Sequence, residues 1–247
     1  MFSDKKQRFW RIVGVLFWLG FWQALSFVPS FYIQVSPITV FGEFWNLLNW
    51  QTLNIVLYTC FLVLSGFIMA FLFGAVLAYL AFRFMTVKIL VEPLIGFCRS
   101  TPVVVIIMAL LLYFTPEFVG IIIVIITVCP IVFINTSSSF AHLDKELDEV
   151  ADVFGCSPFM RLTKVHLPQI LPELFASANI GIGFAFKSAI AAQVIAITNG
   201  SVGEQIYYAK LYIDTNLLLA WVLIVLLVGA ILQALVKLIF DYLIIHY

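Results

Sequence analysis

Charged side chains are scarce in this sequence. Of its 247 residues only 11% are Asp, Glu, Lys or Arg, against about a quarter in an ordinary soluble domain. Thirteen basic and thirteen acidic residues cancel to a formal net charge of zero. No charge imbalance points to a partner, and nucleic acid is excluded as one. Histidine occurs three times, at His142, His166 and His246. None stands in a Ser/His/Asp or Cys/His pattern, so no catalytic set is visible. A phosphate-cradling glycine loop is also missing. The four cysteines, Cys60, Cys98, Cys129 and Cys156, are scattered without metal-ligand spacing or a disulfide framework. They read as small core hydrophobes. What is present is apolar: 64% of residues are hydrophobic and the mean hydropathy is +1.12. A soluble enzyme and a disordered chain are excluded, and the chain reads as dissolved mainly in lipid.

A hydrocarbon core of about 30 Å takes roughly 20 mostly apolar residues per helix. Six stretches qualify, at about 10–28, 53–82, 89–114, 118–135, 170–197 and 217–240. The second is long enough to require tilt, and the third is interrupted by Arg99-Ser100-Thr101-Pro102. With six crossings, Lys5, Lys6, Arg8, Arg11, Arg83, Lys88, Lys145, Arg161, Lys164 and Lys237 fall on one side and only Lys210 on the other. Positive residues stay inside, so both termini are expected in the cytoplasm. The basic start and Ala24-Leu25-Ser26 also fit a cleavable signal peptide, but Trp18, Trp22, Gln23 and the length of the run favour a retained span. Between the first two spans, Phe41, Phe44, Trp45 and Leu48 recur every three to four residues. That spacing predicts a short amphipathic helix over 38–49, packed over the bundle on the outer side.

The longest polar stretch is 136–168, too short to fold alone. Within it, residues 144–158 hold five of the thirteen acidic residues. Leu147, Val150, Ala151 and Phe154 fall at i, i+3, i+4 and i+7, one apolar helix face with acids on the other. Gly155 is placed to stop this helix. Ser157-Pro158 reads as an N-cap and first-turn proline opening a second short helix with Arg161 and Lys164. An apolar face on a water-side helix wants cover, either from this protein's own span ends or from a partner.

These residues also carry a family resemblance. Glu149-Val150-Ala151, Gly155 four residues later and the closing Leu167-Pro168 resemble the EAA loop of bacterial ABC importer permeases, with Val150 in place of alanine. Val35-Ser36-Pro37, Gly181-Ile182-Gly183-Phe184-Ala185-Phe186-Lys187-Ser188 and Ala191-Ala192-Gln193-Val194-Ile195 resemble permeases of the nitrate, sulfonate, taurine and thiamine-precursor class. So does Gly203-Glu204-Gln205-Ile206 followed by Asp214-Thr215. Gln193 stands where that class usually has glutamate. Arg99-Ser100-Thr101-Pro102 is closer to amino-acid importer permeases.

The resemblance implies a single all-α permease domain over 1–247, six transmembrane helices in the type I ABC importer fold, in a bacterial inner membrane. It implies a coupling loop over 138–168, with Glu149, Val150, Ala151, Gly155, Ser157, Leu167 and Pro168 meeting the ATP-hydrolysing partner. The implied partners are two ATPase subunits holding ATP and Mg, a second permease copy forming a homodimer, and an extracytoplasmic substrate-binding protein. This chain would need no cofactor or metal and would pass a small polar solute. Rival readings are an amino-acid importer permease and a non-ABC transporter or scaffold; an exposed cytoplasmic helix counts against the last.

Charges within spans are costly and usually face a bundle interior or a cavity. Lys187 is expected in the outer half of the fifth span, on the translocation path, snorkelling outward or paired structurally. Arg99 is expected near mid-depth, on the path or as a structural partner for Glu92 or for helix carbonyls freed by Pro102. Gln193 is the third candidate path residue. Ser177 and Asn179 read as packing groups, as does the small-residue stripe Gly66, Ala70, Gly74 and Ala78.

Overall fold

The computed structural model describes residues 4–27 and 35–246, and every described regular element is helical. In chain order these are α1 (Asp4–Leu25), α2 (Pro37–Asn46), α3 (Trp50–Arg83), α4 (Met85–Ser100), α5 (Val103–Leu110) and α6 (Pro116–Ala141). Then follow α7 (Lys145–Val153), α8 (Pro158–Arg161), a π-helical turn (Leu162–His166), α9 (Leu167–Ala196), α10 (Val202–Leu211) and α11 (Thr215–His246). The end of the expected first span, Val28, lies outside the described residues.

The sequence predicts six crossings with the third interrupted, and the described residues supply four or, with a broken pair, five. Among the described residues four helical segments are long and apolar enough to cross alone: α3, α6, α9 with its lead-in, and α11. The expected third span is a broken pair, α4 and α5, bent by 101°. Pro102 causes the break. It offers no N–H to continue α4, and it drives Thr101 into an extended conformation (φ −82°, ψ 129°). The described apolar stretch of α1 is Leu16–Leu25, beyond its charged first half.

Helices α3, α6, α9 and α11 build the core. Lipid is as apolar as leucine, so burying apolar area drives such helices together weakly; close fit and internal hydrogen bonds must do it. The stripe Gly66, Ala70, Gly74 and Ala78 supplies the fit, and all four lie buried on α3. A Cβ added at Gly74 would stand 2.8 Å from Val132 Cβ and 2.9 Å from the Cys129 carbonyl oxygen of α6. Phe67, Val128, Ile182 and Phe186 fill the space between α3, α6 and α9. Thr127 and Ser188 hydroxyls meet at 3.0 Å across α6 and α9.

Helix α2 forms as the spacing predicts, capped by Ser36 and opened by Pro37. Its inward face is different from the expected one. Val40 is fully buried and Phe44 and Leu47 pack towards α11, while Phe41, Trp45 and Leu48 point out. Six of the ten residues of this helix, Pro37 included, are apolar and they fall on most of its sides, so periodicity alone could not select the buried stripe.

Candidate functional site

The segment between α6 and α9 folds as two short helices around a tight corner. Asp144 caps α7, its carboxylate accepting from Glu146 N–H at 2.9 Å. The helix ends at Val153, and Gly155 follows at φ +63°, the left-handed region that favours glycine. Cys156 N–H reaches Ala151 O at 3.0 Å and Gly155 N–H reaches Asp152 O at 3.0 Å. Those paired bonds are a Schellman closure, which satisfies carbonyls that the helix end leaves open. Ser157 then accepts from Met160 N–H and starts α8 with Pro158 in its first turn. Leu167 and Pro168 open α9.

The two sides of α7 have different surroundings. Leu147, Val150 and Phe154 are 46, 50 and 79% exposed, and Glu149 beside them is also exposed. Ala151 alone of the four apolar positions is buried, at 4%. The expected acidic face is not simply solvated. Asp148 turns inward, its Oδ1 2.8 Å from His166 Nε2 and 3.9 Å from Arg161 Nε. Asp152 binds Arg161 Nη2, and that hydrogen bond pushes the guanidinium pKa further up. His166 is the residue sequence reasoning missed. It was visible only as a histidine outside the spans; its place directly before Leu167-Pro168, eighteen residues after Asp148, was the available signal.

The three candidate path residues do not meet. Gln193 is fully buried between α3 and α10, so in this conformation it offers no surface to a solute. Its Oε1 accepts from Thr59 Oγ1 at 3.3 Å, and Thr59 Oγ1 accepts from Val202 N–H at 2.9 Å. Gly203 allows α10 to close here, since a Cβ on it would stand 2.3 Å from Gln193 Cβ. Arg99 is exposed in the last turn of α4, at the corner before Pro102 and not midway along a straight span. Its expected partner Glu92 pairs with Lys88 instead, at 3.8 Å. That pairing is one helical turn apart on α4, a shorter reach than to Arg99.

Lys187 is exposed on α9, its Nζ 6.0 Å from the centroid of the Phe184 ring. It shares an uncovered stripe with Glu173, Ala176, Ile180, Phe184 and Ala191, while the remaining faces of α9 are largely covered. Glu204 accepts from Gly200 N–H and Asp214 caps α11, so neither carboxylate is spent on Lys187. At the N-terminal end of the stripe, Glu173 joins Asn135, Ser138, His142 and Gln169 around a polar cavity of about 580 Å³. The bundle therefore presents one water-side apolar helix face and one polar-studded face of α9.

Known proteins share this chain's sequence and architecture. Residues 70–243 match the family described as binding-protein-dependent transport system inner membrane component. The riboflavin transport system permease protein of Chloroflexus aurantiacus is 29% identical over 86% of this chain and 82% of its own length. The putative aliphatic sulfonates transport permease protein of Bacillus subtilis is 24% identical over 89% of this chain and 81% of its own. Among solved structures, a methionine ABC transporter in inward-facing conformations aligns with a TM-score of 0.64 at 18% identity, covering 81% of this chain and 96% of the matched chain. An amino acid ABC transporter aligns with a TM-score of 0.61 at 14% identity, covering 85% and 96%. At those identities the structural likeness concerns the fold.

Proposed function

The chain belongs to the family of binding-protein-dependent transport system inner membrane components, and from that premise we propose how it works. It is a permease subunit of an ABC importer, a multi-pass membrane protein rather than a hydrolase. Our reading assigns the coupling role to α7 and its corner. The observation that carries this is the uncovered apolar face of Leu147, Val150 and Phe154 on a water-side helix, ended by a left-handed Gly155. A face of that kind is complementary to an apolar groove. The groove would be on an ATPase subunit, two of which hold ATP and Mg in our assembly, with Glu149, Val150, Ala151, Gly155 and Ser157 at the contact and Leu167-Pro168 passing its movement to α9.

In the same reading a second copy of this chain covers the α9 stripe, so that two stripes enclose the path. Lys187 and Glu173 lie fourteen residues apart, nearly four turns and about 21 Å along one face. A cation in the outer part of the path favours an anionic or zwitterionic solute, delivered from the extracytoplasmic side by a binding protein. Both termini are in the cytoplasm, as the Lys and Arg asymmetry indicates. Closure of the ATPases would draw the coupling helices together and rock the two bundles about the path.

The test is reconstitution. The chain is co-expressed with an ATPase subunit and a binding protein from its own organism, purified as one complex and placed in proteoliposomes. ATP-dependent uptake is measured for an aliphatic sulfonate, bicarbonate, riboflavin and methionine. ATP-dependent accumulation of an anionic or zwitterionic solute supports the reading. Uptake that needs no ATPase would establish the secondary-transporter alternative.

A further inference from the structure

We infer that His166 and Asp148 form the tie through which movement of α7 enters α9; the inference rests on the coupling role proposed above. A helix pushed on its outer face transmits that push only through what grips its inner face. Asp148 with His166, Arg161 with Asp148 and Asp152, and the Asp144 N–H on Gln169 Oε1 at 2.9 Å make up the polar grip. Three of these contacts are poor transmitters. Asp152 is 70% exposed and its ion pair is screened by water. Arg161 belongs to α8 and travels with the loop. The Asp144 contact is exposed.

His166 is different on three counts. Its side chain is only 8% exposed, and its Nε2 meets Asp148 at 2.8 Å. Its ring stands edge-on to Phe82 of α3, 5.6 Å away at 87°, and to Phe140 of α6, 6.5 Å away at 82°. The imidazole is thus wedged between the feet of two core helices while covalently continuous with the third. Its Nδ1 is buried without a partner among the described residues, so Asp148 alone fixes the ring by hydrogen bonding.

The backbone is shaped to aim this side chain. The turn Leu162–His166 is π-helical, with Leu167 N–H bonding to Leu162 O. One extra residue in a turn rotates everything beyond it by about 100° relative to a continuous α-helix. Such insertions tend to sit at functional positions. Here it stands between the short helices and α9, and it lets α9 keep its own packing while His166 faces α7. His166 is accordingly a positioning residue: it keeps α7, α3, α6 and α9 moving as one body.

Hydrogen exchange of the complete complex with its ATPase subunits, in lipid nanodiscs, tests the tie with ATP plus vanadate as the probe. Two segments are followed: α7, and residues 197–201 beyond the far end of α9. In the parent complex, trapping should change exchange at both. With His166→Ala or Asp148→Ala the change at α7 should stay within twofold of the parent while the change at 197–201 falls at least threefold. His166→Gln, which keeps a donor near the same place, should retain at least half of it. Asp148→Ala alters a partly exposed side chain and guards against simple misfolding. A full response at 197–201 in both alanine variants, equal loss in His166→Gln and His166→Ala, or a parent response confined to α7 would each overturn the tie. A parent with no response at α7 overturns the docking role itself, and the tie falls with it.

Discussion

Thr59 and Gln193 hydrogen-bond at 3.3 Å across the α3–α9 interface, and the same Thr59 hydroxyl receives the first backbone N–H of α10, Val202, at 2.9 Å. One hydroxyl thereby joins three helices at the C-terminal end of α9. Gln193 Nε2 stays buried without a partner among the described residues. This makes the two positions unequal. Thr59→Val keeps the shape but strands the Val202 N–H and the Gln193 oxygen, at about 1–3 kcal/mol for a buried group left unpaired. Gln193→Leu also removes an unpaired amide and should cost less. Thermal unfolding in detergent should rank Thr59→Val below Gln193→Leu; the reverse order would remove the hydroxyl from its central place.

Gly155 separates strain from docking. No atom outside its own neighbours lies within 4 Å of a Cβ built there, but its φ of +63° is unfavourable for any other residue, by about 1–2 kcal/mol. Gly155→Ala should therefore lower stability slightly and keep most transport. Gly155→Arg should insert normally yet lose ATP-coupled uptake, because the arginine would stand where the proposed groove closes. An active Gly155→Arg transporter would refute docking at this corner.

Lys187→Met keeps length and removes charge on the uncovered stripe of α9. The complex should assemble and hydrolyse ATP, while uptake of an anionic solute should fall about tenfold, the equivalent of one charge-assisted contact of ~1.4 kcal/mol. Uptake equal to the parent would make Lys187 a snorkelling residue.

Gly74→Leu tests the close approach of α3 and α6. The added carbon meets Val132 Cβ and a backbone oxygen, which cannot swing aside as a side-chain tip could. Forced separation should cost about 1–3 kcal/mol, read as a lower unfolding temperature. Gly14→Ala, with nothing within 4 Å of the new carbon, should be silent.

Where local chemistry dictates, the sequence was readable. Gly155 and the Ser157-Pro158 cap depend on residues within a few positions of one another, and the structure has the left-handed glycine and the capped second helix there. Gly66, Ala70, Gly74 and Ala78 repeat every four residues, which within a helix gathers them into one narrow stripe. Arg99 was harder. Pro102 announced a break, but the size of the bend depends on how α5 packs against α6 and α9.

Sequence by itself determined the solvent, the helical class and the shape of the corner between α7 and α8. Each follows from the cost of putting charges or unpaired backbone groups into lipid, or from φ preferences local to a few residues. Tertiary structure alone decided that Gln193 is buried against Thr59 and that His166 reaches Asp148. A side chain's partner is set by where distant helices cross and by the rotation each brings to the crossing. A single π turn between Arg161 and Leu167 changes that rotation by about 100°, and periodicity gives no warning of it.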